Sequence, residues 1–404
     1  MNEMPEVQIA TVLLILAVLL GAVACALVLR DMRKRNMHLW LGHYLRRRPP
    51  VVEDRPVHVM FCFVDHFEPM WKGGDLETQR RRVDRWCSEY RAMAGRHRDA
   101  DGRPPQHSFF YPEEEYAEEH LDKLSALCSD GFGEIEVHLH HDNDTEQNFR
   151  VSISRFCKVL HEQHGALPRD PETGELKFGF IHGNWCLDNS RGDGRWCGLN
   201  NELILLRELG CYADFTMPSA PSDTQTATIN SIYYATDDPC APKSHNHGAP
   251  VKVGGGTRGD LMIVQGPLAL NWRERRMGVM PRIENSDIRR NCPPTEARVD
   301  LWVKTGVHVE GRPEWVFVKV HTHGTQEHDI DTLLGAPVDA MHDYLERTYN
   351  DGKRYVLHYV TARECYNIIK AAEAGEQGDP GQYRDYLLPP PRASWAGGRK
   401  ARSA

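Results

Sequence analysis

Several features are scarce in this sequence, and each shortage excludes a class of protein. Its 11 cysteines show no paired CxxC spacing, which argues against a zinc ribbon or a dithiol redox motif. The formal net charge of -8 at pH 7 lacks the basic excess of nucleic-acid-binding proteins, so no nucleic-acid partner is expected. The glycines at 254–256 are not followed by Lys-Ser or Lys-Thr, so a phosphate-binding loop is not expected.

Charge is also missing from a long apolar run at residues 9–29. About twenty apolar residues span a bilayer as a helix, so the run predicts a transmembrane helix. A cleaved signal peptide is the alternative, but it normally begins with basic residues, whereas this leader carries Glu3 and Glu6 and no Lys or Arg. We therefore predict an uncleaved single-pass anchor.

Basic residues follow the apolar run at once. The positive-inside rule then places the rest of the chain in the cytoplasm, at the inner (plasma) membrane. Unpaired cysteines agree with a reducing compartment, and the basic segment is also suited to anionic head groups. The residues are Arg30, Arg33, Lys34, Arg35, Arg46, Arg47 and Arg48.

Composition divides the chain into four parts. Residues 1–35 form the anchor and residues 36–56 a basic juxtamembrane linker. Residues 57–375 repeat an apolar strand, a polar strand end and a helix about seven times, which predicts an α/β fold with a parallel sheet. The simplest closed form is a distorted seven-stranded (β/α) barrel with its chemistry at one rim. Residues 376–404, rich in Pro and Gly, are predicted to be a disordered tail.

Three histidines and two aspartates lie within seven residues at 138–144, HLHHDND. It ends an apolar alternation that reads as a strand, so His138 and His140 point to the same face. Imidazole and carboxylate are the usual ligands of Zn, Fe, Mn or Co, so the cluster predicts a divalent metal site. The choice of ligands among His138, His140, His141 and Asp142 stays open.

Three other predicted strands end in titratable residues. The carboxyl ends of parallel strands meet at one edge of a sheet, so all these ends are expected to share one site. The strand ends are Asp65 with His66, His138 to Asp142, His182 with Asp188, and His321 with His323.

Short motifs at these strand ends resemble those of a known enzyme family. FVDH at 63–66 is similar to an apolar strand ending in Asp-Asp, with His in the second place. EIEVH at 134–138 matches the start of a Glu-Ile-Gly-x-His-Ser/Thr-x-x-His motif, and Asp142 occupies the place of its second histidine. In these motifs the chain resembles the polysaccharide deacetylase superfamily, which includes carbohydrate esterase family 4 and the nodulation-factor deacetylases.

Two later segments extend this resemblance over roughly residues 57–370. LGCY at 209–212 and VH at 320–321 are similar to the family's later Leu-Gly-Tyr strand and its last motif, an apolar strand ending in His. The family's Arg-Pro-Tyr motif is absent, and HGNW at 182–185 stands in its place.

The resemblance implies a role for each strand end. Asp65 corresponds to the general base, and His321 corresponds to the general acid. His66, His138 and Asp142 correspond to the metal ligands, with His140 or His141 as the alternative to Asp142. This assignment of roles is chemically reasonable, because a bound divalent metal polarises a carbonyl and lowers the pKa of the water bound to it to about 7.

The remaining polar residues of the strand ends are candidates for binding a carbohydrate. Trp185 and Trp71 are able to stack on sugar rings or to belong to the core. The candidate substrate-binding residues are His182, Asn184, Trp185, Asp188 and His323.

Three functions fit these observations. The first is a metal-dependent hydrolase, with Zn first and Mn, Co or Fe as alternatives, which removes acyl groups from an envelope or lipid-linked glycan. The second is a glycoside hydrolase on the same barrel, which pairs Asp65 with a second carboxylate at Glu68, Asp142 or Asp188. The third is a non-catalytic protein that binds carbohydrate or assists polysaccharide assembly. The oligomeric state is left open.

Overall fold

The structure, a computed structural model, describes residues 6–393 and is a mixed α/β fold. Most strands belong to one sheet of ten strands, and a separate two-stranded hairpin packs beside it. The strands are β1 (Val57–His66), β2 (His107–Pro112), β3 (Gly133–Leu139), β4 (Phe178–His182), β5 (Cys211–Asp214), β6 (Ile232–Ala235), β7 (Ala249–Pro250), β8 (Leu261–Val264), β9 (Ala269–Arg276), β10 (Met280–Glu284), β11 (Trp315–Thr322) and β12 (Tyr355–Val360).

Helices separate most of the strands, as a parallel sheet requires. Four of them begin at a side chain that accepts the backbone N–H three residues on: α3 at Asp75, α5 at Thr145, α7 at Thr295 and α10 at Thr361. The helices are α1 (Glu6–Lys34), α2 (Met37–Arg46), α3 (Leu76–Ala94), α4 (Glu118–Ser129), α5 (Glu146–Glu162), α6 (Glu202–Glu208), α7 (Glu296–Thr305), α8 (Glu327–Leu333), α9 (Ala336–Tyr349) and α10 (Ala362–Ala374).

The strand order is β11-β1-β2-β3-β4-β5-β8-β6-β7, and β12 pairs with the first half of β1. The strands from β11 to β8 pair in parallel, and β6 runs antiparallel to β8 and to β7. The register places Asp65 beside Thr322, His66 beside Phe110, and His138 beside Ile181. The polar strand ends therefore lie along one edge of the sheet.

The period of two along each strand sorts its side chains onto two faces. One face packs against α3 to α7 and α9, and we call it the helix-covered face. The opposite face packs against α10, and we call it the inner face. Phe61 and Phe63 of β1 belong to the helix-covered face, whereas Cys62 and Val64 belong to the inner face.

Helix α1 contains a stretch, Ala10–Lys34, that is long and apolar enough to cross a membrane, and none of its apolar window is buried against the rest of the chain. Within the predicted linker, residues 37–46 form helix α2, whose Trp40 is fully buried beside Ile229 and Leu268. The Arg47 guanidinium donates to the carbonyl oxygens of Thr305 and Gly306, so the segment after α1 is attached to the folded domain.

The last described segment of the chain packs on α10. Arg384 is buried, and its guanidinium contacts Asp99 and Glu364 at 3.0 Å each. Residues 376–393 of the predicted tail are thus packed, and the disorder predicted for residues 394–404 lies outside the described part of the chain. All 11 cysteines lie among the described residues, and none forms a disulfide.

A buried ion pair ties α10 to β3. Arg363 contacts Glu134 through Nε and Nη2, the closest distance being 2.8 Å, and Arg363 is 1 % exposed. Replacing Arg363 by Met is expected to lower the free energy of unfolding by about 3–5 kcal/mol, because the Glu134 charge stays buried without the guanidinium. Urea denaturation measures it. Arg80→Met, which breaks an exposed pair with Glu119, is the control and should have little effect.

A buried carboxyl on β5 is expected to make stability depend on pH. Burial raises the pKa of Asp214 to about 7, although hydrogen bonds from Thr216 and the nearby Lys319 act in the opposite direction. Because the folded pKa lies above the unfolded one, this contribution to stability is complete below about pH 4 and is lost as the pH rises through 7.

The Asp214→Asn variant removes this titration and keeps the side-chain shape. From pH 4 to pH 7, the unfolding free energy of the wild type should fall relative to that of the variant, by about 3–4 kcal/mol at most. Urea denaturation at several pH values measures the difference. A difference between the two proteins that is independent of pH would show that Asp214 is ionised throughout.

Candidate metal centre

Four histidines meet on the inner face at the carboxyl edge of the sheet. His66 ends β1, His138 lies near the end of β3, His140 follows β3, and His323 follows β11. The ring centroid of His66 lies 4.5 Å from that of His323 and 4.9 Å from that of His138. The rings of His138 and His140 are 4.6 Å apart. Three strands thus bring these imidazoles into one cluster.

Glu68 places a carboxylate at the centre of this cluster. Its Oε1 lies 3.4 Å from the Nε2 atoms of both His138 and His140, and its Oε2 lies 3.5 Å from Nδ1 of His323. Glu68 belongs to two groups of possible ligands, one with His66 and His323 and one with His138 and His140. Within each group the donor atoms lie within 4.8 Å of one another. Such groups of imidazole and carboxylate could hold a metal ion.

Contacts with residues outside the cluster orient two of the histidine rings. His138 Nδ1 lies 2.7 Å from the carbonyl oxygen of Ile181, which only accepts hydrogen bonds, so Nδ1 carries the proton. In the neutral ring Nε2 then has a free lone pair directed at Glu68. Nδ1 of His140 contacts a carboxylate oxygen of Glu114. Contacts of this kind commonly hold metal-binding histidines in place.

A buried ring nitrogen supports the same interpretation. Nδ1 of His66 has no hydrogen-bond partner among residues 6–393, whereas Nδ1 of His323 lies 3.5 Å from Oε2 of Glu68. Buried nitrogens without a partner are unfavourable unless they bind something. The residues present therefore fit a divalent cation.

The charges in the cluster are uneven. Burial acts to raise the pKa of Glu68, but the charge of His323 and side-chain contacts with His138 and His140 hold it well below its usual value. Burial acts to lower the pKa of His140, but hydrogen bonds with Glu114 and Glu68 raise it to about 10. Burial and the charge of His323 hold the pKa of His66 well below its usual value. The centre thus has an ionised carboxylate beside a neutral imidazole.

His321 lies next to this centre on the same face. Burial, and then the charges of Lys319 and Arg289, hold the pKa of His321 well below its usual value. Its Nε2 is 3.9 Å from Oδ1 of Asp287, and burial raises the pKa of that carboxyl. Nδ1 of His321 has no hydrogen-bond partner among the described residues. His321 is therefore a neutral imidazole with a carboxyl group behind it.

Asp65 lies on the other face of β1 from His66, because adjacent residues of a strand alternate. Its Oδ2 is 2.9 Å from Nε2 of His107, and its Oδ1 accepts the N–H of Gly324 at 2.6 Å. Asp65 is fully buried, and the indole of Trp86 donates to the carbonyl oxygen of Gly324. The predicted role of Asp65 as general base stays a prediction. Its observed contacts hold the turn that carries His323.

Trp185 forms a wall of the centre. Its ring centroid lies 5.6 Å from that of His323 and 5.9 Å from that of His66, and the side chain is partly exposed. Asn184 and Trp185 have φ values of 56° and 57°, a left-handed conformation that is unusual for such residues and common at functional sites. Gly183 is required beside them, since a Cβ would lie 2.3 Å from the His140 ring.

Several predicted site residues lie away from the centre. Asp142 is exposed, and its Oδ1 accepts the backbone N–H of Trp196 at 2.6 Å; it belongs to neither of the two groups around Glu68. Asp188 is buried, and its Oδ2 accepts the N–H of Ser244. His182 is buried on the helix-covered face beside His141. Trp71 is close in the chain to the centre, since its N–H donates to the carbonyl oxygen of Glu68 at 3.1 Å, and its ring lies 4.2 Å from Nζ of Lys72.

A third group of possible ligands occurs at the other edge of the sheet, at the start of β1. Nδ1 of His58 lies 2.9 Å from Nε2 of His358, and Asp379 lies nearby. His358 also contacts Asp101 at 2.9 Å, so carboxylates already surround this pair. Its position separates it from the centre around Glu68.

From the sequence pattern, Glu68 is predicted only as a possible second carboxylate of a glycoside hydrolase. The pattern does not predict Glu114 or Asp287 as site residues. Glu68 follows the strand end by two residues, which is the available signal. Glu114 lies in an acidic run that resembles a solvated helix start, and Asp287 lies far from any predicted strand end. The chain matches no protein-family model, and no curated protein matches it.

Proposed function

We propose that this chain is a membrane-anchored, metal-dependent hydrolase of the polysaccharide deacetylase type. It removes an acyl group from an acetylated sugar of an envelope or lipid-linked glycan. The observation that carries the proposal is the placement of the Glu68 carboxylate among His66, His138, His140 and His323 at the carboxyl edge of a parallel sheet. The proposal includes closure of that sheet into a (β/α) barrel.

The donor set favours zinc, with Mn, Co or Fe as alternatives, since imidazole and carboxylate bind all of them. When bound, the ion polarises the acyl carbonyl and activates water. The residues that would hold it are Glu68, His66, His138, His140 and His323. Glu114 keeps the His140 ring oriented, and the carbonyl oxygen of Ile181 does the same for His138.

His321 moves the proton in this proposal. Because its imidazole is neutral, Nδ1 takes up a proton during attack of water and returns it to the departing nitrogen or oxygen. Asp287 stabilises the imidazolium from the other side of the ring, 3.9 Å from Nε2. Proton transfer by a positioned side chain contributes about 10²–10⁴ in rate.

The partly exposed Trp185 provides an apolar wall on which a sugar ring stacks. Its position beside His66 and His323 would place the acyl group of that sugar near the ligands. Asp65 acts as a positioning residue in this mechanism, because its contact with Gly324 holds the turn after His323.

Helix α1 would anchor this site beside a membrane. The basic residues that follow its apolar stretch favour a cytoplasmic domain, so the substrate would be a precursor on the inner leaflet. If the domain faces outward instead, the substrate is an exported polysaccharide.

The test uses the full chain in detergent, stripped with a chelator and reloaded with Zn. It is offered sugars with N-acetyl and O-acetyl groups, free and lipid-linked, and release of acetate is measured. The expected result is acetate release that the chelator abolishes and that the Glu68→Gln variant lacks. New reducing ends without acetate, insensitive to the chelator, would indicate a glycoside hydrolase, and binding without turnover would indicate a non-catalytic protein.

A further inference from the structure

Another cluster of possible ligands, separate from those described above, lies on the helix-covered face, behind the strand that carries His138. It consists of His141 after β3, His182 at the end of β4, Cys197 in the following loop and Glu202 at the start of α6. Their donor atoms lie within 4.8 Å of one another. The His182 and Glu202 side chains are fully buried, and that of His141 is 5 % exposed.

The distances in this cluster suit a tetrahedral ion. Ligands about 2.0–2.3 Å from a tetrahedral zinc are about 3.3–3.8 Å from each other. Oε1 of Glu202 lies 3.2 Å from Nε2 of His141 and 3.5 Å from Nε2 of His182. Sγ of Cys197 lies 3.5 Å from Oε2 of Glu202.

The orientation of the His182 ring suits a cation beside Glu202. Nδ1 faces the carbonyl oxygen of Gly183, which only accepts, so Nδ1 carries the proton. Nε2 of the neutral ring then directs a lone pair at the Glu202 carboxylate. This nitrogen has no hydrogen-bond partner in the part of the chain that the structure describes. Two lone pairs that face each other in a buried place are unfavourable without a cation between them.

The Sγ of Cys197 lies 3.5 Å from the carbonyl oxygen of Leu199 and from Oε2 of Glu202, and burial raises the pKa of this thiol, so a cation beside it would be needed to ionise it. Two neighbouring donors would also stabilise the ionised sulfur. The backbone N–H groups of Asn189 and Leu199 donate to its Sγ at 3.3 and 3.4 Å. Donors of this kind stabilise negative charge on sulfur, which is the form that binds a metal. Nδ1 of His141 lies 3.3 Å from Oδ2 of Asp144, a carboxylate placed to orient a ligating ring.

We propose that His141, His182, Cys197 and Glu202 bind a zinc ion in a closed structural site, separate from the centre around Glu68. Four buried protein ligands leave no open position for water or substrate, which is typical of structural zinc. A thiolate favours zinc over harder divalent ions. The ion would join the ends of β3 and β4 to α6, and so hold the loop with Gly183 and Trp185 against the other centre.

Cobalt distinguishes the two sites, because only this one contains a thiolate. The full chain in detergent is stripped and loaded with Co²⁺, and its near-ultraviolet spectrum is recorded. The expected result is a sulfur-to-cobalt charge-transfer band that is present in the wild type and lost in Cys197→Ser. Cys186→Ser is the matched control, since Cys186 is also buried but its Sγ donates to the carbonyl oxygen of Asn184 and it does not belong to the ligand group of Cys197. That variant should keep the band.

The same measurement separates this proposal from the proposed hydrolase. His138→Ala should keep the band while losing hydrolysis, because His138 belongs only to the centre around Glu68. Should Cys197→Ser not fold, zinc absorption spectroscopy of the wild type replaces it and should find a sulfur neighbour at about 2.3 Å. Absence of the band and of a sulfur neighbour in the wild type would overturn the proposal, and so would a band that survives in Cys197→Ser. In that case His141, between Asp144 and Glu202, is simply an imidazolium in an ion-pair network.

Discussion

Replacing Glu68 by Gln is expected to lower the affinity of the centre for zinc by at least about 100-fold and to reduce hydrolysis to background. The amide keeps the size of the side chain but removes the negative charge from the middle of the cluster. Loss of contacts outside the ligands typically costs 10–100-fold in affinity, so loss of a ligand should cost more. Competition with a chromophoric chelator measures the affinity of the full chain.

The matched control for this variant is Asp142→Asn, which changes the carboxylate that the sequence motif selects as a ligand. Asp142 is exposed and contacts the backbone of Trp196, so the variant should bind zinc as the wild type does. If Asp142→Asn lost the ion and Glu68→Gln kept it, the ligand set from the sequence motif would be right and the one proposed from the structure wrong.

Replacing Asp65 by Asn is expected to lower zinc affinity by about 10–100-fold and to leave the chemical step intact. One amide cannot accept the N–H of Gly324 and also keep a carboxylate contact with His107, so the turn that carries His323 should loosen. Zinc titration of the variant, followed by measurement of acetate release at each concentration, measures both effects.

Saturating zinc decides between the two roles of Asp65. For a positioning residue, activity should return to within about tenfold of the wild type once the centre is filled. For a general base, activity should stay about 10²–10⁴ below the wild type at every zinc concentration. The second result would contradict the positioning role and favour the role implied by the family resemblance.

The placement of several ligands could be predicted from the sequence because strands obey a simple period. Alternation places His138 and His140 on one face, and parallel strands bring the ends that carry His66 and His323 to the same edge. The same period also places Asp65 and His66 on opposite faces, although the two are adjacent in the sequence. Applying this period to β1 as well as to β3 therefore separates the role of Asp65 from that of His66.

Other parts of the site could not be predicted, because they lie beyond the strands. The path of the chain after His140 is a loop with no fixed period, so nothing local shows that Asp142 turns toward Trp196. Glu68 and Asp287 reach the centre through loops whose course depends on tertiary packing. His182 lies at the predicted edge, but its face places it with Glu202.

The predicted parallel α/β sheet is present, whereas its antiparallel part does not follow from the sequence pattern. Residues 218–260 have the composition of a long polar loop, yet they contain β6 and β7, which are too short for a clear periodic signal. The apolar helix at the N-terminus is clear from composition alone, because the apolar run is long and contains no charged residue.

The most direct test of the proposed metal centre is an anomalous difference map from crystals of the full chain, recorded at the zinc absorption edge. We expect a peak about 2.0–2.2 Å from a Glu68 carboxylate oxygen and from imidazole nitrogens of the surrounding histidines. A second peak is expected beside Cys197. A map with no peak at Glu68, or with the ion at Asp142 instead, would contradict the proposed centre.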